Sequence, residues 1–348
     1  MRVAFVYPNP RGDLIHRIAA GEAPDTTLLG QNHLAAHGID AFPYDSLLRR
    51  RRRVRGAVHR VTWVARELTL PWELRRADVA VTPLATLLPL AAAVRRRPRV
   101  VLLSYHLVAA WERAGARRRR LLRASLRAAS VVTTAASAAR DHLVERVPLD
   151  PRRVRVVHLG VDERWWTPLP PAPGGYVLAV GRDLARDYDT FARALESLDA
   201  RGVIVAKQEN LKGVRVPPNV DVHLDVSPRE VRELYAGASC VVVPTVADSD
   251  PRGTESSGTV ALLEAMACAR PTIVTDRIYL RDYVSADATV VVPPDDPAAL
   301  RAAVDAVRAD PARAAAMGEA GRTQVEERHT TRLLAARLAD VVRDAACA

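Results

Sequence analysis

Two segments in the second half of the chain combine residue types that bind phosphate. The first is Gly181-Arg-Asp-Leu-Ala-Arg-Asp-Tyr-Asp-Thr190, directly after the apolar run Val177–Val180. A strand that ends in glycine and is followed by two cations, Arg182 and Arg186, lies at the carboxyl edge of a parallel sheet, where ligands of such sheets bind. Paired guanidinium groups there suit a diphosphate. Read locally, the same arginines pair with Asp183, Asp187 and Asp189, and spacing alone leaves both readings open. The second segment runs from Ser256-Ser-Gly-Thr-Val260 to Asp276: a small-residue loop, a helix start and a buried strand. Ser256 or Ser257 is suited to cap that helix. Gly258 admits a ligand close to the backbone, and the amides near Thr259 and Val260 form an anion site with the helix dipole behind them. Glu264, four residues after Val260 and on its face, is placed to reach a ribose diol beside bound phosphates. Spacing equally allows it to be a solvent-facing residue above an ordinary cap.

These residues need a parallel sheet to position them, and the rest of the chain predicts one. Short apolar runs alternate with longer helical patterns, which argues for βα units. Strands are predicted at Val3–Tyr7, Ala41–Pro43, Val79–Thr82, Val100–Ser104, Val131–Thr133 and Val154–His158, then at Tyr176–Val180, Val203–Ala206, Val220–Leu224, Cys240–Pro244, Thr272–Thr275 and Thr289–Val292. A helix over Ser227–Gly237 opens with a capping box, Ser227 at the cap, Pro228 at the first position and Glu230 at the third. The proline run Thr167-Pro-Leu-Pro-Pro-Ala-Pro-Gly-Gly175 reads as a stiff linker. The expected organisation is therefore a first domain over 1–166, a linker over 167–175, a second domain over 176–330, and a C-terminal helix over 331–348 packing back on the first.

The 348 residues are 49% hydrophobic and 26% charged, which excludes a disordered or fibrous chain. The net charge of +11 is unevenly placed: residues 1–160 carry +17 and residues 161–348 carry −6. All but two of the 51 basic residues are arginine, a mark of GC-rich coding, yet such a bias acts on both halves alike. A basic first domain favours anionic partners, whether membrane headgroups or phosphorylated substrates. The runs Arg49–Arg55 and Arg117–Arg120 read either as solvated faces or as an anion- or membrane-facing rim. Aromatic residues are only 5% and do not interleave with them, so nucleic acid is not expected as a partner. Cys240, Cys268 and Cys347 are too few and scattered for a disulfide frame or zinc cluster, which predicts a cytoplasmic location. The longest uncharged apolar stretch, Val79 to Val94, contains Pro83 and Pro89 and is too short to span a bilayer. The N-terminal run reads as a first strand, not a signal peptide.

A set of motifs then brings the chain close to a known family: Gly160-Val161-Asp162; Val180-Gly181-Arg182 followed by Arg186; Tyr188-Asp189-Thr190-Phe191; Cys240-Val-Val-Val-Pro244; and Leu263-Glu-Ala-Met-Ala267 followed by Pro271-Thr-Ile-Val-Thr-Asp276. In this order and spacing they resemble the retaining glycosyltransferases of family 4, of GT-B fold, over essentially the whole length. The resemblance implies an α/β chain with two doubly wound Rossmann-like domains facing across a cleft. It further implies transfer of a sugar, with retention of configuration, from a nucleotide-diphospho-sugar to an acceptor: a glycolipid, a polysaccharide precursor or a natural-product intermediate.

By the same resemblance Arg182 and Arg186 match the pair that grips the donor diphosphate, and Gly258, Thr259 and Val260 the helix start that cradles phosphate. Glu264 matches the second glutamate of the family's E-x7-E motif, which holds the ribose. Ser104-Tyr105-His106 looks like the family's histidine at the donor sugar, although a lone histidine after a strand otherwise reads as a packed or capping residue. The class implies no metal and no cofactor beyond the sugar nucleotide, and Asp248-Ser249-Asp250 lies ahead of the motif instead of at a metal position. The acceptor is expected to be anionic, with peripheral contact to the inner face of the plasma membrane. Three departures stand out. Ser256 replaces the motif's first glutamate, so either Glu255 reaches in through a shifted loop or Ser256 marks a different donor recognition. The N-terminal loop offers only Gly12. Ala269 stands where a glycine usually precedes Arg-Pro, a change expected to be structurally mild. The altered motif also leaves a second function open: a GT-B protein that binds a sugar nucleotide as a regulator or partner subunit without transferring it.

Overall fold

The computed structural model describes residues 1–9, 11–44, 67–83, 87–95, 97–147, 149–170 and 175–347. The run Arg49–Arg55 and linker residues 171–174 lie outside them. The chain forms two compact units: Met1–Arg17, Thr27–His158 and Arg332–Ala348 in the first, Ile18–Thr26 and Leu159–Thr331 in the second.

In the first unit six strands, β1 (Arg2–Phe5), β2 (Asp40–Pro43), β3 (Val79–Thr82), β4 (Arg99–Leu103), β5 (Val131–Thr134) and β6 (Val154–Val156), form a wholly parallel sheet in the order β2-β1-β3-β4-β5-β6. Helices α1 (Gly12–Ala19), α2 (Leu88–Arg95), α3 (Leu107–Glu112), α4 (Ala116–Ala128) and α5 (Ser137–Arg146) cross between them. In the second unit β7 (Tyr176–Val180), β8 (Gly202–Ala206), β9 (Val220–Leu224), β10 (Ala238–Val243), β11 (Thr272–Thr275) and β12 (Thr289–Val292) make a second parallel sheet, ordered β12-β11-β10-β7-β8-β9. Its helices are α6 (Tyr188–Leu195), α7 (Pro228–Gly237), α8 (Thr259–Ala267), α9 (Pro297–Ala309) and α10 (Pro311–Arg328). Every strand anticipated is present: the interior strands are covered on both faces and carry continuous apolar sequence, while the edge strands β2 and β9 are partly exposed. The core on one face of the second sheet collects Val177, Ala179, Ile204, Val242 and Ile273 from its strands, packed against Phe191 of α6 and Val304 of α9.

The units part at His158/Leu159, ahead of the proline run. Gly160-Val161-Asp162 belongs with the second unit because Val161 pairs with Thr330: its N–H donates to His329 O (2.8 Å), and Thr331 N–H donates to its carbonyl (3.0 Å). A side chain on Gly160 would collide with the Thr330 carbonyl. The last helix, α11 (Thr331–Cys347), packs in the first unit through buried Leu334, Leu338 and Val342, with Arg343 donating to His37 O (2.8 Å). Among the described residues no helix is long and apolar enough to cross a membrane, and no group of three or more His, Cys, Asp or Glu is placed to hold a metal ion.

Candidate functional site

The second sheet reverses its strand order between β7 and β10, so the loops leaving those two strands flank the crevice where ligands of doubly wound sheets bind. The loop after β7 carries Gly181, Arg182 and Arg186; the loop after β10 carries Thr245 and leads to the start of α8. Arg186 folds back across Gly181, where a side chain would collide with the Arg186 Nε. It is buried, and its Nε lies 3.1 Å from Asp183 Oδ2 without hydrogen-bond geometry. Its Nη1 has no acceptor among the described residues. Arg182 is exposed and donates through Nη2 to Val226 O (2.7 Å). The local pairing allowed by sequence is therefore mostly absent. Asp183 alone meets Arg186, whereas Asp187 caps α6 by accepting from Thr190 N (3.1 Å) and Oγ1 (2.7 Å), and Asp189 lies 3.6 Å from Arg193.

The start of α8 differs from the expected serine cap. Gly258 is the N-cap, with φ +88° and no side-chain cap bond. Ser257 Oγ instead accepts from Thr254 N (3.0 Å), which tightens the preceding turn, and Ser256 is half-buried with its Oγ 3.5 Å from Thr254 Oγ1. The amide of Thr259 is not free, since it donates to Ser256 O (3.2 Å). The amides of Gly258 and Val260 have no acceptor among the described residues. Thr245 Oγ1 and Thr259 Oγ1 are buried and equally unpaired there. These groups converge: a β-carbon placed on Gly258 would stand 3.2 Å from Thr245 Cγ2 and 3.6 Å from Arg186 Nη1. Unpaired donors, an enclosed guanidinium and the positive end of a helix dipole form a cradle for an anion. Thr245 carries no signal in the sequence beyond its place after a strand.

Glu264 is half-buried in the second turn of α8, and its Oε2 accepts from the phenol of Tyr235 (3.2 Å), itself fully buried on α7. The solvent-facing alternative thus fails. Burial pushes the Glu264 carboxyl up to about 8, although the Tyr235 bond and the charges of Arg186 and Arg182 pull the other way. Near neutral pH such a carboxyl both donates and accepts, which suits a diol. Glu255 is buried at 2% exposure, so of the two residues at the altered motif position it is Ser256 that keeps contact with solvent.

Arg277, which sequence reading missed, holds this loop in place. Buried beside the ring of Tyr279, it donates through Nε to Asp248 Oδ1 (2.7 Å), through Nη1 to Ser257 O (3.2 Å) and through Nη2 to Thr254 O (3.0 Å). Asp248 also accepts from Ile278 N (2.8 Å). Asp250 is taken up by Arg252 (2.8 Å), so both acids of the Asp248-Ser249-Asp250 segment serve structural pairs.

In the first unit Gly12 opens α1 with nothing within 4 Å of a β-carbon built there. His106 stands at the carboxyl end of β4 as the N-cap residue of α3; its ring is exposed and its amide meets Ser104 Oγ (3.3 Å). A groove of about 1080 Å³, lined by Arg201, Asp221, Arg270, Arg308 and Glu319 among others, opens at the amino ends of β7–β11, the edge opposite the anion cradle.

The Glycosyltransferase Family 4 model matches residues 14–165, and the Glycosyl transferases group 1 model matches residues 205–324. The chain belongs to glycosyltransferase family 4. This glycosyltransferase is 27% identical over 244 residues to the alpha-maltose-1-phosphate synthase of Mycolicibacterium smegmatis, an alignment covering 60% of this chain and 61% of that one. The enzyme of the same name from Mycobacterium tuberculosis is 28% identical over the same lengths. The chain thus spans about six-tenths of the length of the curated relatives it matches. Among solved structures it resembles sucrose-phosphate synthase from Thermosynechococcus elongatus (TM-score 0.75, 17% identity, 99% and 98% of the two chains). It also resembles Anabaena HepE in complex with UDP and glucose (TM-score 0.68, 13% identity, 99% of each). These likenesses show the GT-B fold.

Proposed function

We propose that this glycosyltransferase moves a hexosyl group from a nucleoside-diphospho-sugar to an anionic acceptor, with retention of configuration and without a metal ion or other cofactor. The observation that carries the reading is the set of unpaired groups meeting at Gly258: Arg186 Nη1, the Gly258 and Val260 amides, and the hydroxyls of Thr245 and Thr259. In the reaction the bond from the anomeric carbon to the diphosphate oxygen breaks, and its electron pair stays on the departing nucleoside diphosphate. The acceptor oxygen bonds the same face of that carbon, and its proton passes to the departing phosphate oxygen. Negative charge grows on the diphosphate throughout, so Arg186, Arg182 and the amides of α8 act as electrostatic stabilisers. Loss of one such donor costs roughly 10²–10³ in rate. Glu264 holds the ribose and Ser256 meets the donor sugar, with Gly12 and His106 contributing from the first unit. Anabaena HepE, of the same fold, is found in complex with UDP and with UDP-glucose, which makes UDP-sugars the first donors to try. The charge of the first half supports an acceptor at the inner face of the plasma membrane.

The replacement of the motif's first glutamate by Ser256 favours a second reading, a protein that binds the sugar nucleotide without transferring it. Measuring nucleoside diphosphate release from a panel of sugar nucleotides, with chelator and with anionic lipid or sugar-phosphate acceptors, separates the two. Acceptor-dependent release that falls in His106→Ala at unchanged nucleotide affinity supports transfer. Tight binding with no release under any acceptor supports the second reading, and NMR of the product anomer tests retention.

A further inference from the structure

We infer that the outer face of α4 is a docking surface for an anionic phospholipid bilayer. The helix has thirteen residues, six of them arginine and none acidic. Four of the arginines, Arg117 to Arg120, occupy its first turn, where the helix dipole disfavours cations. A local arrangement that opposes folding, compensated inside the unit for Arg119 alone among the four, points to a use outside it. Arg119 and Arg123 are accounted for internally: they lie over the ring of buried Trp111, each 5.6 Å from its centroid, and Arg119 donates to Trp111 O (3.1 Å). Arg117, Arg118 and Arg120 are exposed and have no acceptor among the described residues. The adjoining acid, Glu112, is held by His142 (2.9 Å) and Arg119 (3.7 Å).

The spacing places two of these cations, Arg117 and Arg120, on one face, while Arg118 stands a turn before buried Leu122. Leu122, Ser125 and Leu126 are buried, so Arg117, Arg120, Leu121 and Ala124 form the opposite stripe at helical intervals. Leu121 is 39% exposed among them. Helix α2 packs beside α4, and each leads into the next of two adjacent parallel strands. Its last turn holds Val94, 87% exposed, and exposed Arg95, followed by exposed Arg97 and Arg99; these arginines also have no side-chain acceptor among the described residues. Exposed apolar side chains flanked by unpaired guanidinium groups at both ends of this helix pair match a leaflet whose phosphates lie above an acyl boundary. Neither α2 nor α4 carries an aromatic residue that would offer a base a stacking platform, which disfavours nucleic acid. The surface itself is read from the first unit alone; only its purpose, bringing the enzyme to a membrane-borne acceptor, rests on the proposed function.

The test is co-sedimentation of the full chain with phosphatidylcholine vesicles with and without phosphatidylglycerol, at low and high salt. Each arginine near an anionic leaflet contributes a factor of about five, so Arg117→Gln/Arg118→Gln/Arg120→Gln should partition roughly 100-fold less at low salt. The corresponding triple lysine variant should bind as wild type does, and Leu121→Ser should bind more weakly. Thermal stabilisation by UDP is measured on every variant; its survival in the glutamine triple shows an intact second unit, and its absence in wild type counts against the proposed donor site and not against the surface. Failure of wild type to bind the anionic vesicles, equal binding to neutral ones, unchanged binding of the glutamine triple, or retention on RNA without vesicle binding would each overturn the assignment.

Discussion

Replacing Arg277 by methionine tests whether the anion cradle is built by a clamp remote from it in sequence. The side chain is 1% exposed and makes three directed bonds, to Asp248, Ser257 O and Thr254 O. Removing one partner of a buried ion pair costs about 3–5 kcal/mol. Asp248 is a quarter exposed and keeps Ile278 N–H, so water recovers part of that loss. A destabilisation of about 2–4 kcal/mol follows. Two of the three bonds end on the 254–258 loop, so the cost falls on the backbone that presents the Gly258 and Val260 amides. Once that loop is free to move, the amides are no longer preorganised, and UDP affinity should fall about 10- to 100-fold. Arg277→Lys keeps a charge beside Asp248 but lacks the fork that reaches two carbonyls as well, so it should fall between wild type and methionine on both scales. Urea unfolding gives the first quantity and titration calorimetry with UDP the second. A methionine variant that loses stability yet binds UDP as wild type does would refute the reasoning, because the clamp would then serve the fold alone.

Three further outcomes follow from the geometry. Burial holds the Glu264 proton from its ordinary value of 4.5 up to about 8, so between those values the folded state binds one proton more than the unfolded state. Its contribution to stability therefore falls as pH rises, by about 1.4 kcal/mol per pH unit, and Glu264→Gln should gain on wild type by that slope in unfolding curves taken from pH 5 to 8; parallel curves would contradict it. Ala269 has φ +52°, the left-handed conformation that costs a side chain about 1–2 kcal/mol. Ala269→Gly also loosens the unfolded chain, by about 0.4–1 kcal/mol, so a net gain of about 0.5–1 kcal/mol in urea unfolding is expected, and a loss would show the strain to be absent. Gly181→Ala should weaken UDP binding in calorimetry by displacing Arg186, with a stability cost of about 1–3 kcal/mol; unchanged affinity would count against a role for Arg186.

The strands were legible because their burial on both faces writes itself as apolar runs, as in Val79–Thr82 and Tyr176–Val180, which match to the residue. The cap of α7 was legible for a local reason too: Ser227 Oγ and the Glu230 carboxylate lie three residues apart and satisfy each other's amides at 3.3 and 2.6 Å. The start of α8 misled because a serine pair before a helix signals a side-chain cap, whereas Gly258 turns the chain in the left-handed region and frees Ser257 for Thr254. Arg277 and Thr245 were invisible because their partners are distant in sequence. Asp248 lies 29 residues from Arg277, and Thr245 meets the cradle through its bridge to Arg186 and its approach to Gly258. Ala269 looked mild in type, and only the backbone shows that the helix ends there in a conformation glycine accepts freely.

On the proposed function, an anion belonging to a nucleotide completes the enclosed charge of Arg186. An enclosed guanidinium with unpaired nitrogens opposes folding, so Arg186→Met should leave the protein as stable as wild type or more so. Calorimetric titration of UDP into wild type and Arg186→Met, with thermal unfolding of both, reads the two effects together. Saturable binding by wild type is expected, with an affinity at least about 100-fold lower in a variant of undiminished stability. A variant that binds UDP, GDP, dTDP and ADP as wild type does, or a folded wild type that binds none of them, would contradict it.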